Sequence, residues 1–204
     1  MKHRMPQITH WLRTGSPNTP SRGYYLCGLL LVHAVSLSCA PNASATNADV
    51  AVFFRGDCEE ITLREIRKAR KRIRAAVYSL TSNYVVDALV AARKRGVDVK
   101  VKIDRHQSEE AAATTLVNRL RKAQISVHTI GMPSYYSMHN KFLVIDGKTV
   151  ITGSYNFTIA AARANWENIV RIRSSLIADD FVREWDALKT LREVNGRRTK
   201  KPRK

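Results

Sequence analysis

The stretch Met138-His-Asn-Lys-Phe-Leu-Val-Ile-Asp-Gly-Lys-Thr-Val-Ile-Thr-Gly-Ser-Tyr-Asn156 contains two short apolar runs separated by a turn. The runs at residues 142–145 and 150–151 are apolar and β-prone, which predicts two short buried strands. Asp146 and Gly147 between them form a dipeptide typical of tight hairpin turns. The sequence therefore predicts a β-hairpin whose turn brings the polar residues that flank the two strands together.

Four of these polar side chains are expected to converge on one point. His139 and Lys141 are two residues apart, which places them on one face of the first strand, and Ser154 and Asn156 leave the second strand with the same spacing. Lysine, serine and asparagine donate hydrogen bonds that suit phosphate oxygens, and histidine can attack phosphorus or move a proton near neutral pH. No carboxylate pair or Cys/His cluster with metal-ligand spacing accompanies them, so a phosphodiester site without metal or cofactor is expected.

The stretch as a whole has the form His139-x-Lys141, four residues, Asp146, six residues, Gly153-Ser154-x-Asn156. This spacing resembles the HKD motif of the phospholipase D superfamily. The Gly-Ser-x-Asn ending, with the Phe-Thr that follows it, resembles the small bacterial endonucleases of that superfamily, the Nuc type. An ordinary hairpin with a surface lysine and a hydrogen-bonded histidine is the alternative. The resemblance extends from about residue 50 to about residue 185.

The resemblance implies a role for each matching position. It implies that His139 is the nucleophile in one subunit and the general acid and base in the other. Lys141 and Asn156 would bind the phosphate oxygens, and Ser154 would donate within the same network. Glu167 matches the acidic residue that follows the motif in the family and is expected to orient a histidine.

Three further positions are assigned to the site or to its support. Asp146 belongs to the motif but begins the turn, so a structural role is favoured over a catalytic one. Gly153 is expected to permit a close backbone approach. Tyr135 lies in the loop before the motif, where its ring either stacks on substrate bases or covers the core, and it is assigned to substrate binding.

The implied chemistry needs two histidines at each site. One imidazole attacks phosphorus to form a phosphohistidine, while the other protonates the leaving oxygen and later activates water. The chain contains one His-x-Lys sequence, at His139. A homodimer that joins two copies of the motif across a twofold axis is therefore expected.

The charge of the chain indicates a polyanionic partner. The chain has 35 basic and 17 acidic residues and a formal net charge of +18. Four basic and no acidic residues fall within residues 1–45, so the remainder keeps a net charge of +14. This charge favours nucleic acid or an anionic membrane surface and does not separate the two.

Residues 1–45 are predicted to be a signal peptide. Basic residues precede an apolar run at residues 24–37, and small residues around Ala45 form a cleavage site, which predicts a periplasmic or secreted protein. An uncleaved membrane anchor is the alternative. Cys58 is the cysteine that remains after cleavage, so no intrachain disulfide is expected in the mature protein. Residues 46–195 are the predicted nuclease domain, and residues 196–204 are predicted to form a basic disordered tail.

Apolar strands alternate with amphipathic helices along residues 46–195, which predicts an α/β fold with a mixed sheet flanked by helices. Helices are expected at residues 61–72, 83–95, 108–123 and 179–193, and Ser108 is a candidate N-cap. The basic run at residues 67–72 either contacts phosphates or is a solvated helix face.

Three functions fit these observations. An exported, metal-independent endonuclease that cuts DNA, with RNA left open, agrees with the size, the single motif and the charge. A phospholipase D or phosphatidyltransferase would use the same chemistry, but the chain shows no hydrophobic lipid-docking segment and no second motif. A non-catalytic nucleic-acid-binding protein would not need the intact set of site residues.

Overall fold

The computed structural model describes residues 48–133 and 136–191. The predicted signal peptide, the basic tail at residues 196–204 and Tyr135 lie outside the described residues. The described strands are β1 (Asp49–Phe54), β2 (Arg72–Val77), β3 (Asp98–Asp104), β4 (Ser126–Ile130), β5 (Lys141–Ile145), β6 (Thr149–Gly153) and β7 (Asn168–Arg173). The described helices are α1 (Gly56–Lys68), α2 (Asn83–Lys94), α3 (Arg105–Glu109), α4 (Ala111–Lys122), α5 (Ile159–Arg163) and α6 (Ser175–Ala187).

The strands form one mixed sheet in the order β1-β7-β6-β5-β2-β3-β4. Strands β2, β3 and β4 are parallel, as expected for strands linked by helical crossovers. Strands β5, β6, β7 and β1 continue the sheet in antiparallel pairs. The α/β fold with a mixed sheet is thereby confirmed.

The hairpin that the sequence predicts is present as β5 and β6. Phe142 pairs with Thr152 and Ile145 pairs with Thr149. Asp146 and Gly147 have φ angles of 55° and 66°, and two successive positive φ angles are the requirement of the tight turn that matches strand twist. The central pair of strands in the motif therefore follows directly from local sequence.

The sheet buries a separate apolar core on each face. Leu143 and Ile145 of β5 face one core, which also takes the apolar sides of α1, α2 and α4. Phe142 and Val144 face the other core, where Trp185 of α6 packs. This alternation is the two-residue period of a strand that is buried on both faces. Among the described residues, no helix is both long enough and apolar enough to span a bilayer.

Helix α1 differs from its predicted bounds of 61–72. It begins at Gly56, within what was expected to be a turn, and ends at Lys68 because Ala69 takes an extended ψ of 136°. The chain after Ala69 then turns into β2, where backbone N–H groups of Arg70, Lys71 and Arg72 donate to the carboxylate of Asp146. The basic run at residues 67–72 is therefore not one helical face, so that alternative was wrong, and contact of these residues with phosphates stays a prediction.

The helix predicted at residues 108–123 is two helices. Asp104 caps α3, because its side chain accepts a hydrogen bond from the Gln107 backbone N–H, and α3 contains Ser108. Glu110 takes an extended conformation and separates α3 from α4. Ser108 instead donates to the carbonyl of Arg105, so its assignment as an N-cap was wrong.

Helix α6 also begins earlier than predicted. It starts at Ser175 rather than at residue 179, since the side chain of Ser174 accepts a hydrogen bond from the backbone N–H of Ile177. It ends at Ala187, with Trp185 buried against the sheet. The nitrogen of the Trp185 indole donates to the carbonyl of Ala75 in β2, which ties the helix to the middle of the sheet.

Candidate active site

The residues at the two ends of the motif meet at one edge of the sheet, where its central strands begin or end. Strands β2 and β6 end there, and β5 and β7 begin there, because Val77 pairs with Lys141 and Gly153 pairs with Ile169. His139 lies just before β5, and Ser154 lies just after β6. The antiparallel hairpin therefore brings both ends of the motif to the same edge.

His139 is exposed and is held between Lys141 and Tyr78. The Lys141 Nζ atom lies 3.2 Å from His139 Nδ1 and donates to the His139 carbonyl at 2.8 Å. The Tyr78 ring lies 4.6 Å from the imidazole, centroid to centroid, and its centroid is 5.3 Å from Lys141 Nζ. The half-buried tyrosine at the end of β2 thus limits the positions that the His139 and Lys141 side chains can take.

Burial lowers the pKa of the Lys141 ammonium, and the negative charge of Glu167 opposes that effect. A cation that is partly removed from water is less well hydrated, so a phosphate oxygen can replace its remaining water at lower cost. Lys141 is therefore placed as an anion-binding donor directly beside the imidazole.

Glu167 is the buried carboxylate of the site, with 9% of its surface exposed. The Ser154 hydroxyl donates to its Oε2 atom, and Asn165 Nδ2 donates to its Oε1 atom at 3.0 Å. The backbone N–H of Asn168 donates to the Ser154 oxygen at 3.1 Å. Both carboxylate oxygens are thus engaged, and among the hydrogen bonds of the described residues none joins Glu167 to His139. The expected contact between Glu167 and a histidine stays a prediction.

Asn156 lies where the loops after β2 and β6 meet. Its Oδ1 atom accepts a hydrogen bond of 3.3 Å from the backbone N–H of Ser79, so its amide nitrogen is the end available to a phosphate oxygen. The backbone N–H groups of Thr81 and Ser82 both donate to the carbonyl of Phe157. These contacts hold Asn156 against Ser79, the residue that follows Tyr78, whose ring contacts His139.

Gly153 lies where β6 and β7 approach closely at the site. A Cβ atom at this position would lie 2.2 Å from the carbonyl oxygen of Asn168. The same two segments exchange a hydrogen bond of 3.0 Å from the Ser154 N–H to that oxygen. A residue without a side chain is required here for Ser154 to reach Glu167.

Asp146 lies at the other end of β5, about 17 Å along the strand from Lys141. Burial alone would raise the pKa of its carboxyl, but hydrogen bonds from the backbone N–H groups of Arg72, Lys71 and Arg70 reverse this and leave the pKa below its usual range. The structure thus gives this motif aspartate a role in joining the hairpin turn to the start of β2, away from the chemistry.

Two residues at the site were not assigned by sequence. Tyr78 has no assigned role in the sequence analysis, and its contact with His139 depends on β2 pairing with β5 across more than sixty residues. Asn165 lies two residues before Glu167, and nothing in that spacing indicates a hydrogen bond to its carboxylate. Within residues 48–133 and 136–191, no group of three His, Cys, Asp or Glu side chains is arranged to hold a metal ion.

Comparison with known proteins relates this geometry to a family. Residues 62–189 match the model of the family described as cardiolipin synthase, PLD-like domain. The chain is 30% identical over 155 residues to a phospholipase D from Rickettsia typhi, covering 76% of this chain and 74% of that protein. It is 31% identical over 129 residues to the mitochondrial cardiolipin hydrolase of Danio rerio, covering 61% of this chain and 56% of that protein.

One solved structure is similar in both sequence and fold. It is Nuc from Salmonella typhimurium, a phospholipase D family member, with 34% sequence identity and a TM-score of 0.65. The match covers 69% of this chain and 93% of that one. The similarity therefore spans nearly all of the solved chain.

Proposed function

Because the chain belongs to the phospholipase D superfamily and is a phosphodiesterase of that superfamily, we propose that it is an endonuclease that hydrolyses DNA, with RNA as a further substrate. The observation that carries the proposal is the His139–Lys141 pair beside Ser154 and Asn156 at an open edge of the sheet. A chain with a net charge of +14 outside residues 1–45 attracts a phosphate backbone to that edge.

Hydrolysis proceeds in two steps. An unprotonated His139 nitrogen attacks the phosphorus, a P–N bond forms, and the P–O bond to the leaving nucleoside breaks. A second, protonated histidine gives its proton to that leaving oxygen. It then takes a proton from water, whose oxygen attacks phosphorus and releases His139. Lys141 and the Asn156 amide stabilise the extra charge on the phosphate oxygens in both steps.

The second histidine comes from a second copy of the chain. One imidazole cannot be unprotonated for attack and protonated for donation at the same moment. His139 is exposed at the edge of the sheet, so a twofold axis beside it can bring two copies together.

The protein is proposed to act outside the cytoplasm. The basis is the basic start, apolar run and small-residue cleavage site within residues 1–45. A periplasmic or secreted enzyme that needs no metal would act wherever its nucleic-acid substrate is found. Fractionation of cells, with the mature N-terminus determined by mass spectrometry, tests export and cleavage near Ala45.

Phospholipid hydrolysis is the second candidate. The similar proteins from Rickettsia typhi and Danio rerio are named phospholipase D and cardiolipin hydrolase. The reaction at phosphorus would be the same, and a basic surface also attracts anionic lipid. The names of these relatives favour a phospholipid substrate, and the polar and aromatic surroundings of the site favour a nucleic-acid substrate.

The test compares the two substrates directly. The purified chain is incubated in excess EDTA with supercoiled plasmid and, separately, with vesicles that contain cardiolipin. We expect plasmid nicking by the parent chain, none by His139→Ala, and little phosphatidic product from the vesicles. Lipid hydrolysis without plasmid nicking would replace the nuclease proposal with the phospholipase.

A further inference from the structure

A cleft of about 640 Å³ adjoins the site on the side of β1 and β7. Its lining is aromatic and polar, and comprises Phe54, Arg55, Asp57, Trp166, Glu167 and Asn168. Trp166 is 81% exposed and Phe54 is 60% exposed, which is unusual for side chains of this size. Two large aromatic rings thus face solvent in a concave surface beside a phosphodiesterase site.

The cleft is fixed to the catalytic machinery through Glu167. Trp166 precedes Glu167 directly, and the backbone N–H of Arg55 donates to the Glu167 carbonyl at 2.9 Å. The Arg55 guanidinium then lies over the Trp166 indole, 3.6 Å from its centroid. The arginine covers one face of the indole and restrains its position, so a ligand that stacks on the ring meets a surface that is already oriented.

The lining indicates the chemistry of the ligand. The cleft is lined by two acidic residues, Asp57 and Glu167, and by one basic residue, Arg55, and this charge balance disfavours a second phosphate group there. The charged lining also disfavours an acyl chain, since burial of these groups against hydrocarbon would be costly. A nucleobase fits both conditions, because its ring stacks on aromatic and guanidinium planes and its edge carries hydrogen-bonding groups.

We propose that the cleft is a base-binding subsite, in which Trp166 stacks on the unpaired base next to the scissile phosphate. The inference rests on the proposed nuclease function and adds to it a substrate class: single-stranded or locally unpaired nucleic acid. Base pairing and stacking in a duplex would have to open at that nucleotide before its base could reach the indole. Single strands are therefore cut in preference to fully paired ones.

The experiment measures kcat and KM in EDTA for two substrates of equal length. One is a single-stranded oligonucleotide, and the other is an abasic oligonucleotide, which has the same sugar-phosphate backbone without bases. Trp166→Ala should raise KM for the oligonucleotide about tenfold or more, with at most about a twofold change for the abasic backbone. Trp166→Phe should recover much of the loss, because a phenyl ring still stacks. Leu176→Ala, which truncates an exposed apolar side chain at the start of α6, is the matched control and should leave both values unchanged.

Each other outcome overturns the inference in a recognisable way. If Trp166→Ala raised KM equally for both substrates, Trp166 would support the site without contacting a base, while the nuclease proposal would stand. A change from dimer to monomer in Trp166→Ala, measured by light scattering, would assign the indole to the contact between two copies. Failure of the parent chain to cut either substrate would refute the nuclease proposal itself.

Discussion

The substitution Gly153→Ala tests the close approach of β6 and β7 that positions Ser154. The added Cβ would meet the carbonyl oxygen of Asn168 at 2.2 Å and the Cα of Ile169 at 2.8 Å. An ordinary contact begins near 3.4 Å, so the two backbones must separate by about 1 Å. Both opposing atoms belong to the backbone, and no side-chain rotation can relieve the clash.

The cost can be worked from this displacement. Forced overpacking costs about 2 kcal/mol, and loss of the 3.0 Å hydrogen bond from the Ser154 N–H to Asn168 adds about 1 kcal/mol. A total of about 3 kcal/mol lowers the melting temperature of a domain of this size by about 10 °C. Activity should fall about 100-fold, since Ser154 moves about 1 Å relative to the rest of the site.

The assay is thermal unfolding followed by circular dichroism, with plasmid nicking measured well below the transition. Gly56→Ala is the matched control, because a Cβ at that position would meet nothing within 4 Å. It should change the melting temperature by no more than about 2 °C, consistent with an exposed helix position. A Gly153→Ala chain that melts and cuts like the parent would refute the argument that this approach positions the site.

Three further predictions concern charge. Asp146→Asn keeps the shape of the turn but weakens charge-assisted hydrogen bonds to three backbone N–H groups, at a cost of about 2 kcal/mol at pH 7. The pKa of Asp146 is lower in the folded chain than in the unfolded chain, so this stabilisation is fully present above the unfolded pKa of about 3.9. It is lost as the pH falls through the folded pKa. The parent chain and Asp146→Asn should therefore unfold alike in strong acid. Glu167→Gln removes the charge that opposes the desolvation of Lys141, so the pKa of Lys141 falls further and the alkaline limb of the kcat/KM profile should shift to lower pH. Burial, together with the charges of Glu167 and Asp57, raises the pKa of Cys58 to about 11. At pH 8 this thiol in the folded chain should therefore resist alkylation by iodoacetamide until denaturant is added. Mass spectrometry of the alkylated chain measures the difference.

The hairpin could be predicted because its determinants are local. Asp146 and Gly147 select the turn, and the alternating faces of β5 then decide which residues meet each core. The same two-residue period predicts that the side chains of His139 and Lys141 lie on one face of the strand, and the structure places them in contact. The family resemblance could be recognised from the sequence for the same reason, since its motif lies within this one supersecondary unit. The comparisons with known proteins confirm it.

The parts that could not be predicted depend on contacts between distant segments. Tyr78 reaches His139 because β5 pairs with β2 rather than with its other possible neighbours in the sheet. The end of α1 depends on Asp146, which lies more than seventy residues later and takes up the backbone N–H groups that follow the helix. The division of α3 from α4 was missed because the Ser108-Glu-Glu sequence has the composition of a helix start, whereas the cap is Asp104.

The central claim is that two chains share one site, and mixing the parent chain with His139→Ala tests it most directly. The two chains are unfolded together in equal amounts, refolded, and assayed for plasmid nicking in EDTA. If every site needs His139 from both copies, random pairing leaves about a quarter of the activity of the same total amount of parent chain. If the activity were about half, each chain would contain a complete site of its own, and the shared-site account would be contradicted.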